Sequence, residues 1–292
     1  MNIVSLTDLE SERQFEAHFR SLPRIVLEGR SDVGFFTAWF EHLLTELDFV
    51  AADTIADGGG CTAVATAVRQ SVDGDGIPAL GIVDRDWLHR EQHWEELYSL
   101  DAASLSRVSP DDLVTTSLWE IEAYLLLPQL VSRWVGMQRN PPPATAAEKD
   151  AALGKVLEEC EALLHAMPFF ASAHVAGKHC HVKHFSDVSH HNMPQKCHEV
   201  RQPLFGEPLE IFLKVQSLVD QIRANAPADP AERLQFLLRY LDTRRLLERI
   251  GVRLGLHNNA HHALAELMSV MNCRPAELEQ ILNEAVRQFE DA

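Results

Sequence analysis

Residues 77–86, Ile77-Pro78-Ala79-Leu80-Gly81-Ile82-Val83-Asp84-Arg85-Asp86, decide the fold. An uncharged, largely aliphatic run ends abruptly in two acids that flank an arginine. A strand covered by helices on both faces of a parallel sheet has this appearance, since neither of its sides meets water. The pattern recurs on either side of it. Residues 24–27 (RIVL) halt at Glu28-Gly29, residues 49–55 run into Asp57-Gly58-Gly59-Gly60, and residues 112–117 offer a fourth strand. Helical patterns lie between and around them. Residues 9–22 carry Leu9, Phe15, Phe19 and Leu22 at helical spacing before Pro23. Ser31-Asp32 give an N-cap signal for a helix striped by Phe35, Phe36, Trp39, Phe40, Leu43, Leu44 and Leu47. Residues 61–72 and 87–100 read as further helices, and 119–135 as one long helix. Alternating strands and helices predict an α/β domain with a mostly parallel sheet. In such sheets the functional residues stand at the C-terminal ends of the strands. Glu28, Asp84 and Asp86 stand there.

Beyond Asn140-Pro141-Pro142-Pro143, which cannot continue a helix, the pattern is helical only: residues 145–167, 209–225, 230–256 (two helices), 261–271 and 275–292. The expected organisation is an α/β domain over 1–139 and an all-α helical domain over 140–292. With 46% hydrophobic and 24% charged residues the composition is that of a globular protein and excludes disordered and fibrous classes. No uncharged apolar run approaches the ~18 residues of a membrane span. The opening MNIVSLTDLESER gains acids at Asp8 and Glu10, unlike a signal peptide, so the cytoplasm is the expected location. A formal charge of −17 opposes any broad coating of nucleic acid, but not a nuclease that meets its substrate through metal ions and a local basic strip. Five cysteines at irregular spacing predict reduced thiols.

An acid that ends a buried strand is poorly solvated and costs free energy unless a cation or hydrogen-bond donors meet it. One such acid is more often a helix cap or turn former. Three at converging strand ends collect the hard oxygen ligands that Mg²⁺ or Mn²⁺ prefers. Gly58-Gly59-Gly60 is either a plain turn or a place where a phosphate approaches backbone amides. No GxxxxGK[ST] occurs, so the chain carries no nucleotide-hydrolysing P-loop of its own, and an ATPase, if one is involved, is a partner. Residues 174–198 hold seven of the fifteen histidines (His174, His179, His181, His184, His190, His191, His198) with Cys180 and Cys197. Their spacing matches no regular zinc pattern, so zinc there is a lesser option than a surface loop. Lys178, Lys183 and Lys196 make it the most basic stretch and the candidate nucleic-acid-binding strip. His257, His261 and His262 are placed at helix ends. No nucleophilic triad is legible around Ser31 or Ser117.

Three segments together, LEGRSD at 27–32, GIVDRDW at 81–87 and LWEIEAYLL at 118–126, resemble Toprim proteins, the compact α/β metal-binding domains of topoisomerases, primases and OLD nucleases. The third segment resembles the OLD-like Toprim family that lacks its own ATPase, which includes the nuclease effectors of PARIS-type anti-phage defence. The resemblance covers the first 135 residues or so. It implies that Glu28 binds metal or acts in acid/base chemistry, and that Asp84 and Asp86 form the Asp-x-Asp metal pair. It further implies that Asp32 and Glu122 are metal ligands, with Glu120 a solvent-side neighbour able to substitute for Glu122. Asp32 reads equally as a first-turn acid favoured by the helix dipole. Two ions about 3.5–4 Å apart would clamp an in-line phosphodiester displacement. The expected function is a Mg²⁺- or Mn²⁺-dependent endonuclease acting on tRNA or DNA, an anti-phage defence effector held by a partner ABC-type ATPase. A homodimer is left open and no membrane is involved. Two rivals stand beside it: a phosphotransferase or phosphatase with Asp84 as nucleophile, and a non-catalytic module whose acidic surface docks on a basic partner.

Overall fold

The computed structural model describes residues 22–58, 60–101, 107–109, 112–139, 143–178, 185, 188–205, 210–256 and 260–290. The leading helix expected over 9–22, Lys183, His257 and part of the His/Cys-rich segment (His179, Cys180, His181, His184) lie outside them or at their edge. Strands β1 (Arg24–Leu27), β2 (Asp48–Ala51), β3 (Ala79–Val83), β4 (Arg107–Ser109) and β5 (Leu113–Thr115) form one sheet in the order β2-β1-β3-β5-β4. Four of them are parallel, and β4 adds an antiparallel edge to β5. The expected α/β architecture with an additional helical portion is what the chain adopts. β4 was not expected, because three residues are too few to display a period.

The chain forms two compact units that do not follow the expected break at 139/140: residues 1–83, 107–116 and 272–292 make one, and residues 84–106 and 117–271 the other. The first unit carries the sheet, and the C-terminal helix Ala276–Glu290 belongs to it rather than to the helical portion. A linear cut could not anticipate a terminal helix that returns to the opening domain.

In the first unit β1 and β3 are fully buried, β3 apolar throughout and β1 apolar after Arg24, whose guanidinium donates to Ser71 and Asp75. The helix Arg30–Trp39 begins two residues earlier than the Ser31-Asp32 signal suggests, with Gly29 as its cap and Asp32 at its third position. Phe36 packs edge-on to Phe49, its ring centroid 5.7 Å away, which ties the helix to β2. Gly81 in β3 is required by crowding: a Cβ there would lie 2.4 Å from Leu113 Cδ2 and 2.7 Å from Val64 Cγ1. Gly58 and Gly60 have φ of 116° and 70°, which accounts for glycine at the turn before the helix Gly60–Arg69.

The second unit is built on the helix Ala152–Val175, which packs against the helices Met193–Phe205, Glu210–Asn225, Pro230–Leu237 and Thr243–Leu254. This helix runs through Pro168, past the point where the sequence predicts its end. Burial of Phe169, Phe170 and Ala171 outweighs the ~3 kcal/mol that an internal proline costs. Glu159 and Arg249, almost fully buried, pair in its core, and Arg249 also donates to the Phe185 and Val188 carbonyls. The single long helix expected over 119–135 is two elements, a 3₁₀ turn Ile121–Leu125 and a helix Pro128–Gln138. Pro128 lacks an N–H and drives Leu127 to extended geometry (ψ 131°), so the helix starts anew there. Residues 87–100 likewise form two short helices, Trp87–Arg90 and Trp94–Leu97. Among the described residues no helix is long and apolar enough to cross a membrane.

Candidate metal centre

β1 connects to β2 on one side of itself, whereas β3 pairs on its other side. The chain therefore changes direction between β1 and β3, and a crevice opens at the C-terminal ends of strands at such a switch point. Glu28 is the first residue after β1 and Asp84 the first after β3. A carboxylate oxygen from each of Glu28, Asp84 and Asp86 lies within 4.8 Å of the others, the one such group of potential metal ligands among the described residues. The reach of ~10 Å that a two-metal site with its ligands would require is thus comfortably met.

Two hydrogen bonds fix the Asp-Arg-Asp turn to the segment that follows β5. The Ile121 N–H donates to Asp84 Oδ1 at 3.0 Å, and the Asp86 N–H donates to the Trp119 carbonyl at 2.9 Å. These bonds join the GIVDRDW and LWEIEAYLL segments in space. Asp86 Oδ1 also accepts from Arg90 Nη2 at 2.8 Å, one turn further along. Arg85, between the two acids, is turned inward and donates to the Glu96 and Leu97 carbonyls. The turn thereby sends its cation into the core and leaves its two acids at the cluster.

The remaining expected ligands divide. Asp32 is buried and its Oδ2 accepts the Gly29 N–H at 3.0 Å, which closes the cap of its own helix. The three-acid group does not include it. Glu122 is buried, with Oε1 3.3 Å from Arg244 Nε and Oε2 buried without a hydrogen-bond partner. Glu120, expected on the solvent side, is instead 3% exposed. It accepts the Arg244 N–H at 2.9 Å and lies 3.0 Å from Arg244 Nε. Burial above all, then Asp242 and Glu122, pushes its carboxyl up to about 8, with Arg244 opposing. The 119–122 segment runs as a flattened bend into a 3₁₀ turn, which brings both glutamates inside.

Arg244 was not anticipated. Desolvation disfavours its charge, but Glu120, Glu122, Asp84 and Asp86 more than compensate and hold it firmly protonated. His261 is half-buried near Glu122 and Arg244, and burial pushes its pKa below the usual imidazole value, partly offset by Glu122. One signal in the sequence could have found Arg244. Arg244 and Arg245 occupy the first turn of the helix Thr243–Leu254, where the dipole disfavours cations, so acids must hold them there.

Of the lysines expected to form a basic strip, Lys178 lines a cavity that also contains Asp86. Lys196 lies on the helix Met193–Phe205, 3.8 Å from Glu199. Neither Cys197 nor any described histidine joins a group of three potential metal ligands.

No family model matches the chain, and no curated protein or solved structure is significantly similar to it.

Proposed function

We propose that this protein is a divalent-metal-dependent nuclease of Toprim-like architecture. The observation that carries the proposal is the convergence of Glu28, Asp84 and Asp86 at the β1/β3 switch point. The donor set consists of hard carboxylate oxygens alone, which suits Mg²⁺ or Mn²⁺ and does not suit a structural zinc site. A cation bound there would neutralise charge on a scissile phosphate and lower the pKa of an attacking water. Asp84 is positioned for this by the Ile121 N–H and Asp86 by Arg90, so both carboxylates present fixed oxygens. Arg244, its side chain 64% exposed, offers a permanent positive charge beside an otherwise acidic centre, where a non-bridging phosphate oxygen needs one. Glu122 lies outside the three-acid group, but its Oε2 is buried without a hydrogen-bond partner, which makes it the candidate among the further acids for a second ion's ligands.

The role as a tRNA- or DNA-cleaving effector of anti-phage defence, switched by an ABC-type ATPase, is supported by the resemblance of the three sequence segments. The test is cleavage of bulk tRNA and of plasmid DNA in Mg²⁺ or Mn²⁺ by the native chain, Asp84→Asn and Asp86→Asn. Native cleavage lost in both variants agrees with the proposal. Undiminished cleavage by the variants, or cleavage in EDTA, contradicts it.

A further inference from the structure

Inside the unit made of residues 84–106 and 117–271 lies a cavity of about 200 Å³ that has Asp86 on its rim. A water needs about 10–15 Å³ by the same measure, so this space admits a ring system, and it is too small for a folded oligonucleotide. Its charge differs from that of the chain as a whole. Arg90, Lys178 and Arg245 stand against Asp86 and Asp242, three cations to two acids, whereas the full sequence has 26 basic and 43 acidic residues. Aromatic rings contribute to its walls. The His89 and His174 rings lie 4.9 Å apart, Trp119 and Phe170 contribute to the lining, and the Arg245 guanidinium sits 4.3 Å from the Phe170 ring centre. The wall is also braced: His174 Nε2 lies 3.1 Å from the Arg90 carbonyl and Arg245 Nε 2.7 Å from Asp242 Oδ2.

We infer that this cavity receives one unstacked nucleotide of a single-stranded nucleic acid, its base against the His174/His89 and Trp119 surfaces and its phosphate toward Lys178, Arg90 and Arg245. Cations lining a cleft with flat rings are how proteins hold single strands without reading their sequence, since every base has a π-face. A base inside a duplex is stacked on both sides and enters such a cavity only by flipping out, which costs free energy. Asp86 belongs to both the cavity and the acidic cluster, so a nucleotide seated here neighbours the phosphate at the metal centre. The inference rests on the nuclease reading for its biological sense, but binding alone tests it.

The experiment measures, by fluorescence anisotropy in EDTA, the affinity of the full chain for a short labelled single strand, as RNA and as DNA, and for the same strand in a duplex. Lys178→Glu and His174→Ala alter exposed positions of the cavity, and Lys155→Glu, exposed on the helix Ala152–Val175, is the charge-matched control. The expected results are a clear preference for the single strand and about tenfold weaker binding by the Lys178→Glu/His174→Ala double variant. The control should lose little, and uridine 5′-monophosphate should displace the strand at concentrations where inorganic phosphate does not. Equal or tighter duplex binding, an unaffected double variant, or equal displacement by phosphate overturns the inference. Cleavage that survives loss of Asp84 and Asp86 would remove the nuclease reading and leave the cavity result standing. Cleavage that needs both acids, beside unaffected single-strand binding by the double variant, would remove the cavity instead.

Discussion

Gly81→Ala tests whether the packing of β3 sets the position of the acids that follow it. The added methyl carbon would lie 2.4 Å from Leu113 Cδ2, 2.7 Å from Val64 Cγ1 and 3.1 Å from Val68 Cγ2. All three distances are well inside ordinary carbon contact, about 3.5–4.0 Å. Leu113 is in β5 and Val64 in the helix Gly60–Arg69, so the strand is gripped from two directions and cannot step aside. Overpacking of this kind costs about 1–3 kcal/mol. At about 2–4 °C per kcal/mol for a chain of this size, the melting temperature should fall by about 2–12 °C. The measurement is a thermal melt of Gly81→Ala, Leu113→Ala and the double variant. Leu113→Ala removes the nearest obstructing atom, so the double variant should be more stable than the sum of the single losses by about 1 kcal/mol or more. A Gly81→Ala protein that melts with the native one, or strict additivity in the double variant, would show that β3 is not wedged as described.

Arg244→Gln should destabilise the fold by about 1–3 kcal/mol, because Glu120 and Glu122 are buried and lose their cation; adding Glu120→Gln should recover part of that loss in urea unfolding. A variant as stable as the native chain would show that the guanidinium is bystander charge. His89 gives a pH dependence: burial, followed by His174, Arg245 and Arg90, pushes it from 6.5 down to about 3. Below pH 6.5 the unfolded chain binds a proton that the folded one refuses, so this contribution is complete above 6.5 and is lost as pH falls toward 3, up to about 5 kcal/mol in all. NMR titration should find its imidazole neutral at pH 5, and ordinary protonation near 6.5 would refute the burial argument.

The parts of this fold that could be read from the sequence are local. A run such as Ala79–Val83 is apolar throughout because both faces of its strand are covered, and the acid at its end is conspicuous for the same reason. Glu28, Asp84 and Asp86 are therefore legible in the sequence alone. Asp32 was ambiguous, because a cap and a metal ligand ask for the same residue at the same place, and in the structure it bonds Gly29. Arg244 lies more than a hundred residues from Glu120 and Glu122, and only tertiary packing brings them together. Glu120 was misplaced because a helical period was imposed on residues 119–127, which instead form a bend and a 3₁₀ turn ahead of Pro128. Pro168 misled in the opposite direction, since a proline in a buried helix is tolerated where its neighbours fill the core.

The central claim is that three acids converge because a cation belongs between them. Carboxylates gathered within 4.8 Å repel one another when no cation is present, so metal binding should stabilise the folded chain. The most direct measurement is a thermal melt of the native chain and of Asp84→Asn/Asp86→Asn, each with EDTA and with Mn²⁺. At a hundredfold excess over its dissociation constant, Mn²⁺ should stabilise the native fold by about 2.7 kcal/mol. The double variant keeps the shape of both side chains, including an oxygen for the Ile121 N–H, but offers poor ligands to a hard ion. It should melt in EDTA at or above the native temperature and gain nothing from Mn²⁺. A native protein indifferent to Mn²⁺, with a double variant that melts several degrees lower in EDTA, would mean that the acids are caps and turn formers.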